Sequence, residues 1–241
     1  MHLTFDRPDR QNVLDLDTMA TLRCCMADVA CDTTLRLVRL DAEGPTWCAG
    51  ADLRAVAAAP AGLAGVLASY AELLADLSEC PIPVIAVVDG HVRGGGVGLL
   101  CTADLVVMGP RASVTLPEVR VGLWPMMVGA LLGRVMSPRT AMALALTAER
   151  LDAAGCLRVA LATHVGDEPR AIADELTATL LQGAPSAVRA GRGAWRAHAG
   201  LEALPLRERL HALARELAAL AEGAEAEEGL RSFFEKRPPA W

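Results

Sequence analysis

The sequence is short of lysine: Lys236 is the only one in 241 residues, and arginine carries the remaining basic charge. That depletion reads as coding bias and by itself excludes little. The formal net charge of -6 excludes more, because a nucleic-acid surface is held by contacts from cationic side chains to phosphates. An anionic ligand in a local cationic pocket is still compatible with it. There is no CxxC pair and no Cys/His ligand spacing, so no metal site is expected. The seven cysteines, scattered mostly through apolar surroundings, read as reduced packing residues. No basic-then-apolar segment opens the chain, and no run approaches the ~18 apolar residues that span a bilayer. The expectation is a soluble cytoplasmic protein with neither membrane nor nucleic-acid partner. Nucleotide-phosphate motifs are missing as well: GxxxxGK[ST] does not occur, and Leu99 and Cys101 stand where the last glycine of GxGxxG would fall. No Ser-His-Asp or Cys-His arrangement has motif support, and Cys48 reads as a small apolar residue under a turn.

What is present is an alternation of strand and helix signals. HLTF at the start reads as a strand running into the turn DRPDRQN, and Leu14, Met19, Leu22, Met26 and Val29 then recur at helical spacing. LRLVRLDA (35–42) alternates with the period of a strand. Leu63, Val66, Leu67, Tyr70, Leu73, Leu74 and Leu77 form the apolar stripe of a helix that ends near ECPIP. PVIAVVDG is a buried strand, a helix opens at Gly94, and LVVMG is another strand. Ser137 followed by Pro138 is a helix-start signal. This is the pattern of an α/β domain, expected over 1–185. From 186 to 241 strand signals vanish, and Leu206, Leu210, Leu213, Leu217 and Leu220 make one apolar helix face suited to packing on the same domain or on a neighbouring subunit.

The segment DGHVRGGGVGLL places Gly94, Gly95 and Gly96 between a buried strand and a helix. A helix start presents N–H groups without intrahelical partners and a positive dipole end, and glycine lets another chain or a ligand approach them. Such a place can stabilise a developing oxyanion. Tight strand–helix packing would use the same glycines, and these three residues alone leave both readings open. A second stretch, WCAGADL (47–53), also follows a strand and supplies small residues at a turn into a helix.

CAGAD, then GGG, then LPE ending at Glu118, together resemble the crotonase (enoyl-CoA hydratase/isomerase) superfamily. The resemblance covers nearly the whole chain, through DRPDRQNVLD, PIPVIAVVDGHVRGGG, CTADLVV, LPEVRVGLWP and EEGLRSFFEKRPPAW. Relative to the family pattern, the chain begins near the end of the first strand region. The resemblance implies a ββα spiral with a C-terminal helical association region, a homotrimer or dimer of trimers, and an acyl-CoA thioester substrate. Coenzyme A would be part of that substrate, with no separate cofactor. It implies that the N–H groups of Ala51 and Gly95 hold the thioester oxygen and that Glu118 is the catalytic acid/base. Ala49, Asp52, Leu53, Gly94, Gly98 and Trp124 are implied around the substrate. Asp52 is implied to be structural, as a helix cap, and Phe233 and Lys236 are implied at the CoA of a neighbouring subunit. Trp124, Met126 and Met127 fit either an acyl-pocket wall or a plain core.

One position departs from the family's hydratases. They carry two glutamates, and Gly98 stands where the first would be. Adding water to a 2-enoyl thioester uses one group to activate water and one to protonate C2, whereas moving a double bond from C3 to C2 needs a single base. The implied activity is therefore enoyl-CoA hydratase (a lyase) or enoyl-CoA isomerase, with thioester decarboxylation, a non-catalytic acyl-CoA-binding protein and a purely structural oligomer subunit as alternatives. Asp104 and His91 do not read as replacements for the absent glutamate. Gly98→Glu is expected to raise hydration if that carboxylate is what limits it.

Overall fold

The computed structural model describes residues 1–51, 62–199, 219, 221 and 223–240. Five parallel strands, β1 (His2–Phe5), β2 (Val38–Ala42), β4 (Val84–Val88), β6 (Leu105–Met108) and β9 (His164–Val165), form one sheet in the order β1-β2-β4-β6-β9. A second sheet, in the order β3-β5-β7-β8, holds β3 (Thr46–Cys48), β5 (His91–Arg93), β7 (Ser113–Thr115) and β8 (Leu151–Asp152). Its first three strands are parallel and the β7–β8 pair is antiparallel. The chain passes from a strand of the first sheet to a strand of the second and then onward, three times over: β2 to β3, β4 to β5, β6 to β7. This is the spiral expected from the resemblance.

Helices α1 (Leu16–Cys31), α2 (Gly62–Glu79) and α3 (Gly95–Thr102) follow β1, β3 and β5. Beyond β7 come α4 (Met126–Val135), α5 (Pro138–Thr147), α6 (Ala153–Arg158), α7 (Pro169–Leu181), α8 (Pro185–Ala199) and α9 (Ala224–Glu235). Val84–Val88 is buried at every position, as a strand covered on both faces must be, which is why it reads as an unbroken apolar run. The α2 stripe buries Val66, Tyr70, Leu73, Leu74 and Leu77, and α2 packs against both α1 and α3. Each such aliphatic side chain contributes roughly 2 kcal/mol by leaving water. Phe5 at the end of β1 meets Trp47 in the middle of β3 edge-to-face at 5.4 Å.

The helix-start signal at Ser137 is borne out. Ser137 caps α5 by accepting from the Thr140 N–H at 3.2 Å, with Pro138 as the first helical residue. Asp15 caps α1 by accepting from the Thr18 N–H at 3.0 Å. Other details differ. Leu14 is not in the helix but bridges to Ala51, its N–H donating to Gly50 O at 2.8 Å. The strand expected over 35–42 begins at Val38. Asp104 lies just beyond α3. Its carboxylate accepts from the Val84 N–H at 2.8 Å and pairs with Arg192 at 2.8 Å and Arg196 at 3.3 Å, which ties α8 to the sheet. The leucine stripe at 206, 210, 213, 217 and 220 lies outside the described residues. No described helix is long and apolar enough to cross a membrane.

Candidate active site

Three neighbouring parallel strands deliver the three implied segments to one end of the second sheet. The pairing sets Cys48 beside Val92 and Arg93 beside Thr115, so β3, β5 and β7 finish close together. Their continuations are Ala49–Ala51, Gly94–Gly95 and Leu116–Glu118. Crevices beyond the carboxyl ends of parallel strands are where α/β sheets bind ligands, because backbone amides and helix starts converge there.

The turns after β3 and β5 are pressed together, and this is what the glycines permit. Gly50 has φ +82°, and a Cβ on it would stand 2.8 Å from Gly95 N and 2.7 Å from Arg93 O. A Cβ on Gly96 would stand 2.8 Å from Cys48 O. Gly94, the residue before α3, has φ +51° and donates its N–H to Thr115 O at 3.0 Å, fastening the turn to β7. On its other side the Ala49 N–H donates to Gln11 O at 3.1 Å and Leu14 holds Gly50, so the β3 turn is clamped from both sides. Gly95 opens α3, where its N–H lacks an intrahelical acceptor. Among the described residues neither the N–H of Gly95 nor that of Ala51 donates to a backbone carbonyl of a turn, loop or cap.

Ala51, Gly95 and Glu118 line one cavity of about 260 Å³, with Ala49 and Gly94 beside them. Its walls are mostly apolar, formed by Leu14, Met19, Val66, Leu67, Leu123, Trp124, Met126 and Met127. Glu118 opens a short 3-10 helix (Glu118–Val121), and its Oε1 lies 3.3 Å from where a Cβ on Gly94 would be. Its Oε2 is buried and has no partner among the described residues. Burial raises the Glu118 pKa above the usual carboxylate value, against a smaller opposing backbone hydrogen bond. A carboxyl group held this way is easier to protonate and is suited to exchanging a proton with a ligand.

The remaining expected residues divide. Trp124, Met126 and Met127 are pocket wall. Gly98 is buried in α3 and is not on the cavity surface, a correction to its expected place at the substrate. The reason is Tyr70, the chain's only tyrosine. Its hydroxyl donates to Gly95 O at 2.5 Å, and a Cβ on Gly98 would collide with that hydroxyl oxygen. Gly98→Glu therefore does not fill a vacant position, and that substitution alone is not expected to raise hydration. Nothing marked Tyr70 in the sequence beyond its place in a helical stripe. His91 lies at the opposite end of β5 from the turn, with Nδ1 2.8 Å from Ser113 Oγ, and is not part of the cavity. Cys48 is fully buried, and burial pushes its thiol up to about 12, which suits packing and not nucleophilic attack. Asp52, Leu53 and the Phe233 side chain lie outside the described residues. Lys236 is exposed in the turn after α9 and does not line the cavity of its own chain.

Comparison with known proteins agrees with this geometry. The profile of the family described as Enoyl-CoA hydratase/isomerase matches residues 1–241. A probable enoyl-CoA hydratase of Rhodobacter capsulatus is 33% identical over 245 aligned residues, covering 98% of this chain and 92% of the relative. A carnitinyl-CoA dehydratase of Citrobacter koseri is 30% identical, covering 100% of this chain and 94% of its own. The crystal structure of an enoyl-CoA hydratase/isomerase from Marinobacter aquaeolei superposes with a TM-score of 0.91 at 26% identity, covering 99% of this chain and 94% of that one. A spiral with paired turns over an apolar cavity, matched end to end in sequence and in fold, makes this chain a member of the enoyl-CoA hydratase/isomerase (crotonase) family and an enoyl-CoA hydratase or isomerase enzyme.

Proposed function

We propose that the chain moves a carbon–carbon double bond in an enoyl-CoA thioester, from C3 to C2, by proton transfer through Glu118. The thioester oxygen sits between the N–H groups of Ala51 and Gly95. The Glu118 carboxylate takes a proton from C2, and the C–H electron pair enters a dienolate whose negative charge gathers on that oxygen. The two amides stabilise it, each by about 3 kcal/mol if it follows other oxyanion donors. Glu118 then returns the proton at C4, and the double bond comes to rest between C2 and C3. No water and no separate cofactor enters the balance. Exposed Lys236 is assigned to the CoA phosphates of a neighbouring copy, in a homotrimer or a dimer of trimers.

The observation that carries this reading is the composition of the cavity wall. Among the described residues lining it, Glu118 is the only one with a carboxylate. One carboxylate suffices to move a proton between two carbons, whereas holding and splitting water is served by two.

The test is incubation in heavy water with 2-enoyl-CoA and 3-enoyl-CoA of several chain lengths, for the parent protein and Glu118→Gln. The parent is expected to place deuterium at C2 or C4 and to interconvert the two alkenes, and the variant to do neither. Full activity in Glu118→Gln would remove Glu118 as the base. A 3-hydroxyacyl-CoA as the main product of the parent would replace isomerisation by hydration.

A further inference from the structure

Helix α2 brings the hydroxyl of Tyr70 to the wall that faces the oxyanion turn. It donates to Gly95 O at 2.5 Å, and the Cζ atom lies 3.3 Å from where a Cβ on Gly95 would be. One turn further along α3, Gly98 presents its Cα to the same hydroxyl, and no side chain fits between them. Leu74, one turn after Tyr70 on α2, closes the gap from below, its Cδ2 lying 3.1 Å from where a Gly98 Cβ would be. Tyr70 and Leu74 are both buried. The stretch of wall where a second proton-transfer group could stand is therefore filled by a phenol.

We propose that Tyr70 is the specificity-determining residue of this site: it fixes the Gly95 backbone and fills the space over Gly98, so that neither a second acid/base nor its water can be held there. The inference rests on the acyl-CoA reading above and explains why one carboxylate serves. Tyr70 is not itself a second acid. Its one proton is already given to Gly95 O, and burial lifts the phenol pKa well above its ordinary value. It acts through Gly95 as a positioning residue and by occupying volume.

The hydroxyl and the ring make separable contributions. Tyr70→Phe keeps the ring and removes one buried hydrogen bond, so isomerisation kcat is expected to fall by roughly tenfold with KM little changed and no gain in hydration. Tyr70→Ala combined with Gly98→Glu opens the space and supplies a carboxylate, and the ratio of hydration to isomerisation is expected to rise by at least about tenfold. Gly98→Glu alone is expected to leave that ratio where it was, because the phenol still fills the space.

The experiment measures 3-hydroxyacyl-CoA and the isomerised alkene from the same 2-enoyl-CoA and 3-enoyl-CoA, for the parent and each variant. An unchanged ratio in the folded double variant overturns the proposal, as does an equal rise from Gly98→Glu alone. Should the double variant fail to fold, Gly98→Ala decides. Its methyl group collides with the Tyr70 hydroxyl, so it is expected to lower both activity and melting temperature, and Tyr70→Phe in the same chain is expected to restore the melting temperature and to bring activity back up to the level of Tyr70→Phe alone. Absence of that rescue overturns the proposal. Parent protein that shows no Glu118-dependent exchange at C2 sinks the acyl-CoA reading and this inference together. Parent protein that exchanges normally while the ratio ignores Tyr70 sinks the inference alone.

Discussion

The carboxylate of Glu118 rests against Gly94, its Oε1 3.3 Å from where a side chain on that glycine would begin. The Glu118 carboxyl and the Gly94 turn are therefore positioned by each other, across two strands that are neighbours in the sheet. Gly94 also has φ +51°, a conformation that costs alanine of order 1 kcal/mol or more. Gly94→Ala is predicted to lower kcat by at least about tenfold through displacement of the Glu118 carboxyl, with a smaller effect on KM. Steady-state kinetics of the purified variant check this, and unchanged kcat would show that the contact has no part in positioning the base.

Gly50 makes the corresponding prediction for the other turn. A methyl group there would meet Gly95 N at 2.8 Å and Arg93 O at 2.7 Å, both rigid backbone atoms. Gly50→Ala must push the two turns apart, so one of the two proposed oxyanion donors is misplaced even though its N–H is retained. Activity is predicted to fall about 100-fold, the scale of losing one donor. Circular dichroism should show the fold retained. Near-parental activity would mean the turns need not touch.

The raised pKa of Glu118 has a kinetic signature. In the proposed reaction Glu118 must be ionised to take the first proton, so kcat/KM is predicted to rise with pH and then level off. Burial disfavours the charged carboxylate, and the midpoint of that rise therefore lies above the ordinary glutamate range. A pH–rate profile of the parent locates the midpoint. A midpoint at or below the usual glutamate value would mean that the carboxyl is solvated when it acts.

Thiol chemistry separates the cysteines by burial. Cys24 and Cys31 are exposed, whereas burial pushes the thiols of Cys48, Cys101 and Cys156 up to about 12. Alkylation of the native protein near neutral pH is predicted to label Cys24 and Cys31, to spare the other three, and to leave activity intact. Mass spectrometry after digestion reads this out. Loss of activity in step with labelling of Cys48 would contradict its role as packing under the β3 turn.

Much of the candidate site could be read from the order of residues because it is made by backbone. Small residues after a strand and before a helix are a local signal, and the turns at Cys48–Ala51 and Gly94–Gly96 are where that signal points. The strands that place them were harder to see. β5 and β7 are three residues long and β8 and β9 two, too short for any alternation to register. Leu14 has the right spacing to extend α1, yet its N–H holds Gly50 in the turn after β3, because the Asp15 cap starts the helix at Leu16. Gly98 was legible only as an absence. What fills that absence is a tyrosine from a different helix, and helical periodicity places Tyr70 on a buried face without saying which atom its hydroxyl meets. That information is tertiary, set by how α2 packs on α3.

The most direct measurement is a crystal structure of the protein with an unreactive acyl-CoA bound in the cavity. The thioester oxygen is expected within about 3.2 Å of both Ala51 N and Gly95 N, with the Glu118 carboxylate facing C2. A thioester bound with its oxygen turned away from those amides, or with C2 remote from Glu118, would contradict it.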